Sequence, residues 1–411
     1  MNTSNLNLKD SFTLKNGVEI KNRLFKSAMS EQLGTKDHNP TIGLATLYST
    51  WSQGGLGISM SGNIMIDRNA LGEPKNVVLD EQSDLSIFKA WTKAGTANKT
   101  HLWAQLNHPG KQIPNFISKE PVAPSAISLE GGLEKGFNKP RALTETEIQG
   151  IIKKFATSAR LAKEVGFTGV QIHGAHGYLV SQFLSPRHNQ REDQWGGTLE
   201  NRMRFVREVY RNIRKEVGEK FPVAIKLNSA DFMRGGFTEE ESMVVVKTLA
   251  EEGIDLIEIS GGTYESPSMV GHNMEERTKQ REAYFLQYAE KVRDIVDTPL
   301  AVTGGFRSAN VMNEALQSGA TDFIGLGRPL AVDPEIPNKL MTNGNHRIEL
   351  KTLTTGVKAI DKIAMLDITW YELQLARMAK RKAPKPHMSE WLCFAKTLTS
   401  AGAYALRKRR A

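Results

Sequence analysis

Pro299-Leu-Ala-Val-Thr303-Gly304-Gly305-Phe-Arg-Ser-Ala-Asn-Val-Met-Asn-Glu-Ala-Leu-Gln-Ser-Gly-Ala-Thr-Asp322-Phe-Ile-Gly-Leu-Gly327-Arg328-Pro329 contains one full strand–helix–strand unit. Each strand is a short unbroken apolar run, the pattern of a parallel strand covered on both faces. Each runs straight into glycine. Glycine lets backbone N–H groups approach an anion closely, and the Arg328 guanidinium can fork two phosphate oxygens. An open doubly wound sheet carries its glycine-rich loop after the first strand. Here the glycines come late, where the loops after strands seven and eight of a (β/α)8 barrel hold phosphate. The alternative is ordinary barrel turns with a structural arginine.

Working outward, the same unit recurs. Apolar strands are predicted near residues 24–28, 56–60, 101–106, 169–173, 222–228, 255–260, 299–303 and 322–325. Helical patterns fill most gaps, and two begin with a capping box, Thr144-Glu-Thr-Glu147 and Thr238-Glu-Glu-Glu241. Glycines at Gly54-Gly55, Gly166, Gly253 and Gly319 stand where a left-handed C-cap turns a helix back toward a strand. The expectation is an α/β fold, a (β/α)8 TIM barrel over residues 1–345. An N-terminal hairpin with a type I′ turn at Asn16-Gly17 is expected to plug its lower end.

Two segments break the alternation. Residues 107–143 carry five prolines and the pair Gly131-Gly132, a length and composition suited to a loop over a site. Residues 346–411 read as a basic helical extension, with helices at 365–382 and 389–406 around a breaker at 383–386. The extension holds 14 Lys and Arg against 5 Asp and Glu, which accounts for the whole net charge of +9 in this 411-residue chain. The body is therefore formally neutral, which argues against nucleic-acid binding across its surface. A single cysteine, Cys393, excludes a disulfide framework and a cysteine-ligated cluster. The polar start, residues 1–11, lacks a signal-peptide pattern, and a cytoplasmic protein is expected.

In a barrel the C-terminal ends of the strands face the active site. Strand four ends in His173-Gly-Ala-His176-Gly-Tyr178, three side chains able to donate to an oxygen on which negative charge develops. The same histidine pair suits a structural hydrogen-bonding pair or two metal ligands; Asp231 and Glu258 are the candidates to complete a metal set, and no metal is expected. Lys226 in an apolar strand needs a partner, and holds an anion or a polarised carbonyl, or acts as a Schiff-base nucleophile in an aldolase. Gln105 ends strand three with an amide that matches the donor and acceptor edge of a heterocycle.

The run from His173 to Phe205, with His-Gly-Ala-His-Gly-Tyr, Ser-Pro-Arg-His-Asn-Gln-Arg and Trp-Gly-Gly-Thr-Leu-Glu-Asn-Arg, closely resembles the signature of the Old Yellow Enzyme family. Residues 21–29, 104–110, 226–231 and 325–329 match in the family's order, so the resemblance covers about residues 8–334. It implies an FMN-dependent NADH or NADPH oxidoreductase, an ene reductase on a TIM barrel. Ala28, Met29, Ser30 and Ser61 would lie by the flavin ring and Gln105 on its pyrimidine edge. Lys226 would sit near N1 and the C2 carbonyl, while Gly304, Gly305, Gly327 and Arg328 would hold the phosphate. His173 and His176 would bind the oxygen of a small electrophilic acceptor such as an enone, and Tyr178 would protonate its α-carbon in a ping-pong cycle.

Three positions depart from common family patterns. Ser30 stands where many members have Thr or Cys, Lys226 where many have Arg, and Gln32 where some have a substrate-contacting Tyr. The cysteine-rich segment of the iron–sulfur members is missing. Besides the aldolase, the alternative is a flavin-binding protein without turnover, recruited through its tail. That tail, residues 391–410, reads as an interfacial helix on an anionic membrane, or as a helix packed on its own barrel or a sister subunit in a homo-oligomer.

Overall fold

The computed structural model describes residues 6–266, 282–357, 360–361 and 365–408. A short hairpin, β1 (Phe12–Thr13) and β2 (Glu19–Ile20), opens the chain. The barrel strands follow as β3 (Leu24–Lys26), β4 (Ile58–Met65), β5 (His101–Asn107), β8 (Gly169–Gly174), β9 (Val223–Asn228), β10 (Leu256–Ser260), β11 (Leu300–Thr303) and β12 (Phe323–Leu326). They close in sequence order with every neighbouring pair parallel. A separate pair, β6 (Val122–Ala123) and β7 (Arg141–Ala142), lies within the long loop. All eight expected strands are present.

Helices α1 (Ile42–Gln53), α2 (Leu85–Gly95), α3 (Glu145–Glu164), α4 (Leu179–Leu184), α5 (Leu199–Val217), α6 (Glu239–Glu251), α7 (Leu286–Arg293) and α8 (Ala309–Gln317) connect the strands. Both capping boxes form, Thr144 with Glu147 on α3 and Thr238 with Glu241 on α6. Each satisfies two N–H groups left over at a helix start. Gly55, Gly166, Gly253 and Gly319 all adopt positive φ, so the chain reverses where the sequence places glycine.

The hairpin differs from its expected turn. Gly17 N–H donates to Leu14 O and only Gly17 has positive φ, so the loop is a turn centred on Lys15 and Asn16 with a glycine bulge. Asn16 stays at negative φ because its side chain is committed, accepting from Val18 N–H and donating to Asp255. The hairpin does close the barrel floor. Leu14 and Ile20 pack with Phe25, Ile58, Met60, Trp103, Ala224, Leu256, Ala301 and Phe323, and the Phe12 and Phe323 rings meet edge to face at 5.2 Å.

Strand periodicity then decides what lies above the floor. Side chains two residues on point the same way. Trp103 is followed by Gln105, Ala224 by Lys226, Leu256 by Glu258, Ala301 by Thr303 and Phe25 by Ser27. An apolar layer is thus overlaid by a polar one. Trp103 is fully buried, and Gly169 makes room for it, since a Cβ there would meet the indole at 2.7 Å.

Beyond β12 come α9 (Arg328–Val332), α10 (Ile336–Thr342), α11 (Leu366–Met378) and α12 (Glu390–Lys408). Helix α11 lies against α1 and α9, burying Trp370, Tyr371 and Leu375 in the main core. It stops at Met378, four residues short of the expected end, where the chain turns at Arg381 with positive φ. The basic end expected at 407–410 lies outside the described residues from 409 onward. Among the described residues no helix is long and apolar enough to cross a membrane.

Candidate active site

The C-terminal ends of the strands open into a cavity of about 1370 Å³. Its walls include Ala28, Met29, Ser30, Gln105, His173, His176, Tyr178, Lys226, Gly304, Gly305, Gly327 and Arg328, so twelve of the thirteen expected site residues share one space. Ser61 does not line it. Its hydroxyl donates to Gly62 O and accepts from Gln105 N–H at 2.8 Å, bracing the bulge where β4 slips against β5 between Met60 and Asn63. Asn63, beyond the bulge, reaches the cavity instead.

The polar layer forms the cavity's base as a continuous buried network. Gln105 donates to Gln171 at 2.7 Å, and Gln171 donates to Glu258 at 2.8 Å. Glu258 also accepts from Ser27 and from Thr303 and pairs with Lys226 at 3.1 Å. Lys226 donates to Ser27 Oγ at 3.0 Å. A buried carboxylate and a buried ammonium each need such partners. An ammonium held this way is a poor Schiff-base nucleophile, which weighs against the aldolase. Asp231 is also committed, to Asn228 and to Phe237 N–H, and Glu258 to Lys226, so neither completes a metal set with the histidines.

At one end the His173 and His176 rings stand edge to face at 5.3 Å, and His173 meets Tyr178 at 4.8 Å. Burial, and then the Lys226 charge, push both imidazoles well below their ordinary pKa. Both are therefore neutral at pH 7, with one N–H each. His173 Nδ1 accepts from Ala175 N–H, which places its hydrogen on Nε2. His176 has positive φ and is fixed through Nε2 by Ser260 Oγ at 2.9 Å. Tyr178 OH is 2.8 Å from Tyr264 OH, and burial first, then the neighbouring tyrosine and carboxylates, pushes the Tyr178 pKa well up.

At the other end lie Gly304 and Gly305, both at positive φ, with Gly327 and Arg328. A Cβ at Gly305 would meet the Tyr284 ring at 2.7 Å, so only glycine fits there. Arg307 joins Arg328 on this wall; burial and then the neighbouring guanidinium lower its pKa. Two guanidiniums on one wall beside glycine backbone suit an anion. The residues therefore fit a phosphate-bearing heterocycle: guanidiniums and glycines for the phosphate, Gln105 and Lys226 for the ring edge.

Sequence reasoning missed Arg307, Asn63, Tyr264 and two walls. Residues 130–137 of the long loop form one, and Leu366, Asp367 and Tyr371 of α11 form part of the other. Asp367 lies 3.7 Å from Arg328. Arg307, two residues after a glycine pair at a strand end, was the one with a readable signal.

The NADH:flavin oxidoreductase / NADH oxidase family model matches residues 8–346. The chain is 36% identical to the NADH-dependent flavin oxidoreductase iliE of Hypocrea jecorina (strain QM6a), over 80% of this chain and 88% of that protein. It is 34% identical to the NADH-dependent flavin oxidoreductase iccE of Talaromyces variabilis, over 92% of this chain and 99% of that protein, so the likeness runs into the extension. Among solved structures it resembles 2-naphthoyl-CoA reductase in complex with 2-naphthoyl-CoA, with TM-score 0.75 and 28% identity over 82% of this chain. The chain spans 52% of that longer protein. With the barrel, the two-ended cavity and these matches in place, the chain belongs to the NADH:flavin oxidoreductase family of Old Yellow Enzyme type and is an FMN-dependent oxidoreductase.

Proposed function

We propose that the cavity binds FMN with its phosphate between Arg307 and Arg328, and takes NADH and then an electrophilic acceptor in turn at the His173–His176–Tyr178 end. The observation that carries this reading is the joining of the two ends in one cavity over a Gln105–Gln171–Glu258–Lys226 base. When bound, FMN supplies the two-electron carrier that takes hydride from NADH and passes it to the acceptor.

The chain's own residues do the rest. His173 Nε2–H and the His176 ring hold the acceptor's carbonyl or nitro oxygen, each neutral ring having one N–H to donate. Their hydrogen bonds strengthen as negative charge grows on that oxygen, which draws electrons from the conjugated C=C bond. Tyr178 holds its proton until carbanion character develops at the α-carbon, as its raised pKa requires, and then donates it. The Lys226 ammonium would supply positive charge at the ring edge, where it would favour negative charge on a reduced ring. The loop at 130–137 and α11 form two walls of the space and bound where an acceptor can lie.

The acceptor class is a small conjugated carbonyl or nitro compound. The compartment proposed is the cytoplasm, where NADH is made. Residues 346–411 act with the barrel as one unit, since α11 supplies part of the cavity wall. A second copy of the chain, or an anionic membrane surface, is proposed to meet the half-exposed Trp391, Leu392 and Leu398 of α12.

The test is the visible spectrum of the purified protein, followed by anaerobic NADH and then cyclohexenone. A flavin band that bleaches and returns is the expected result. A colourless protein that takes up no added FMN would sink the reading.

A further inference from the structure

Three side chains from distant parts of the chain meet beside the cavity, two of them, Ser30 and Glu73, on its wall. Ser30 follows β3, Glu73 lies in the loop after β4, and Glu372 is on α11 of the extension. Ser30 Oγ stands 2.5 Å from Glu73 Oε1 and 2.6 Å from Glu372 Oε1. A serine hydroxyl has one hydrogen to donate. It satisfies one carboxylate only, and the second short contact needs a hydrogen on the other carboxyl, given to the serine oxygen. The cluster therefore holds one proton beyond that of the serine. Its outer oxygens are fixed as well: Gln32 donates to Glu372 Oε2 at 2.9 Å and Asn76 to Glu73 Oε2 at 3.2 Å. Among the described residues no Lys, Arg or His stands within salt-bridge distance of either carboxyl group, so a proton is what relieves their repulsion.

Other ionisable groups face this cluster from three sides. Glu31 lies on the segment that carries Ser30 and pairs with Lys26 at 3.9 Å. Tyr178 and Tyr264 feel both carboxylates from the acceptor end, and Cys393 of α12 lies behind Glu372. Tyr178 matters most. It is buried, it gives up one proton in each turnover, and its only close hydroxyl partner among the described residues is Tyr264. Tyr264 and Glu73 line the same cavity.

We propose that Ser30, Glu73 and Glu372 form a proton store that refills Tyr178 through Tyr264 after each turnover, with the C-terminal extension supplying the second carboxyl. The proposal rests on the oxidoreductase reading above. The Tyr178 O–H bond breaks as the α-carbon C–H bond forms, and the electron pair stays on the phenolate oxygen. Tyr264 gives its proton to that oxygen and takes one from the carboxyl pair by way of water in the cavity they share. Solvent then returns one proton to the pair, so the net change is one solvent proton delivered to product, with no electron moved by the store.

The direction is downhill. Burial and then the Glu372 charge push Glu73 up to about 8, while burial pushes both Tyr264 and Tyr178 above the ordinary phenol value of 10. A carboxyl acid so placed protonates either phenolate. Glu372 is in this sense a positioning residue, whose negative charge keeps the Glu73 proton on at neutral pH.

Glu372→Gln keeps the shape and removes the charge. In the FMN-loaded, unreduced protein, the infrared carbonyl band of a protonated carboxyl should persist at pH 7 and vanish as pH rises through about 8. In E372Q it should vanish at least ~1 pH unit lower, and the pH break of the enone-reduction step should move with it. That step is then slowed about tenfold at the wild-type break, the change one pKa unit brings, while flavin bleaching by NADH keeps its rate. Glu73→Gln should move the enone-step break from the other side, so misfolding of one variant leaves the test standing. A wild type without the neutral-pH band, or variants whose enone-step break stays in place, would overturn the store and leave the flavoenzyme intact. A protein that NADH does not bleach would overturn the oxidoreductase reading, and the store with it.

Discussion

The barrel's floor and the layer above it are built by the same eight strands, two residues apart, yet they obey opposite rules. The floor of Phe25, Met60, Trp103, Leu256 and Phe323 is dry, and its stability comes from area removed from water. The layer above, Ser27, Gln105, Gln171, Lys226, Glu258 and Thr303, is just as buried along β9 and β10 but contains no apolar side chain to speak for it. A buried ion pair of that kind contributes little net stability, because desolvation offsets its attraction. In the proposed reading it is tolerable because the bound heterocycle uses the same donors. The lesson is that one strand carries stability and chemistry at alternate positions, so mutations at neighbouring inward sites should separate the two.

The largest separation is expected at Trp103. Trp103→Ala empties the floor beside Gly169, where no side chain can move in, and should cost ~3–5 kcal/mol of stability in urea unfolding. An intact melting temperature would show that the floor is not the barrel's support. Tyr178→Phe is the mirror case. It should leave melting and NADH-driven bleaching as they are and slow enone reduction by about 10²–10⁴-fold in stopped flow. Equal damage to both half-reactions would reject its role as proton donor. His173→Ala follows, removing a donor to the acceptor's oxygen, and should slow enone reduction about 10²-fold and weaken phenol binding while FMN stays bound. Loss of the flavin would put that histidine at the wrong end of the cavity.

The smallest effect is a pH slope, and it belongs to the upper layer's surroundings alone. The native state keeps the Glu73 proton up to about pH 8, whereas the unfolded chain releases it near the ordinary 4.5. Between those values the native state binds more protons, so its stability should fall as pH rises. Urea midpoints across that window would measure it, and the slope should flatten in E372Q. An unchanged slope would place the titration elsewhere.

Much of this was legible without the fold. The helix starts at Thr144 and Thr238, the glycine ends of four helices and the eight strands depend on residues close in sequence. So do the two ends of the cavity, because His173, His176 and Tyr178 share one strand end, and Gly304–Gly305 and Gly327–Arg328 lie just after two others. The errors were local in a different way. The Asn16-Gly17 turn changed type because the Asn16 side chain found Asp255, 239 residues away. Ser61 left the cavity wall because a bulge in β4, set by pairing with β5, turned its hydroxyl to the Gln105 backbone and brought Asn63 forward.

The sequence by itself therefore determined the barrel, its floor, the glycine loops after the last two strands and the histidine–tyrosine strand end, since periodicity, caps and glycines act over a few residues. Only the tertiary structure decided that Glu73 and Glu372, 299 positions apart, would share one serine hydroxyl. It alone brought Tyr264 to Tyr178 and made the extension a wall of the active cavity. The physical reason is that a hydrogen bond or an electrostatic coupling depends on distance in space. Chain order carries that distance only where the residues are neighbours on one element.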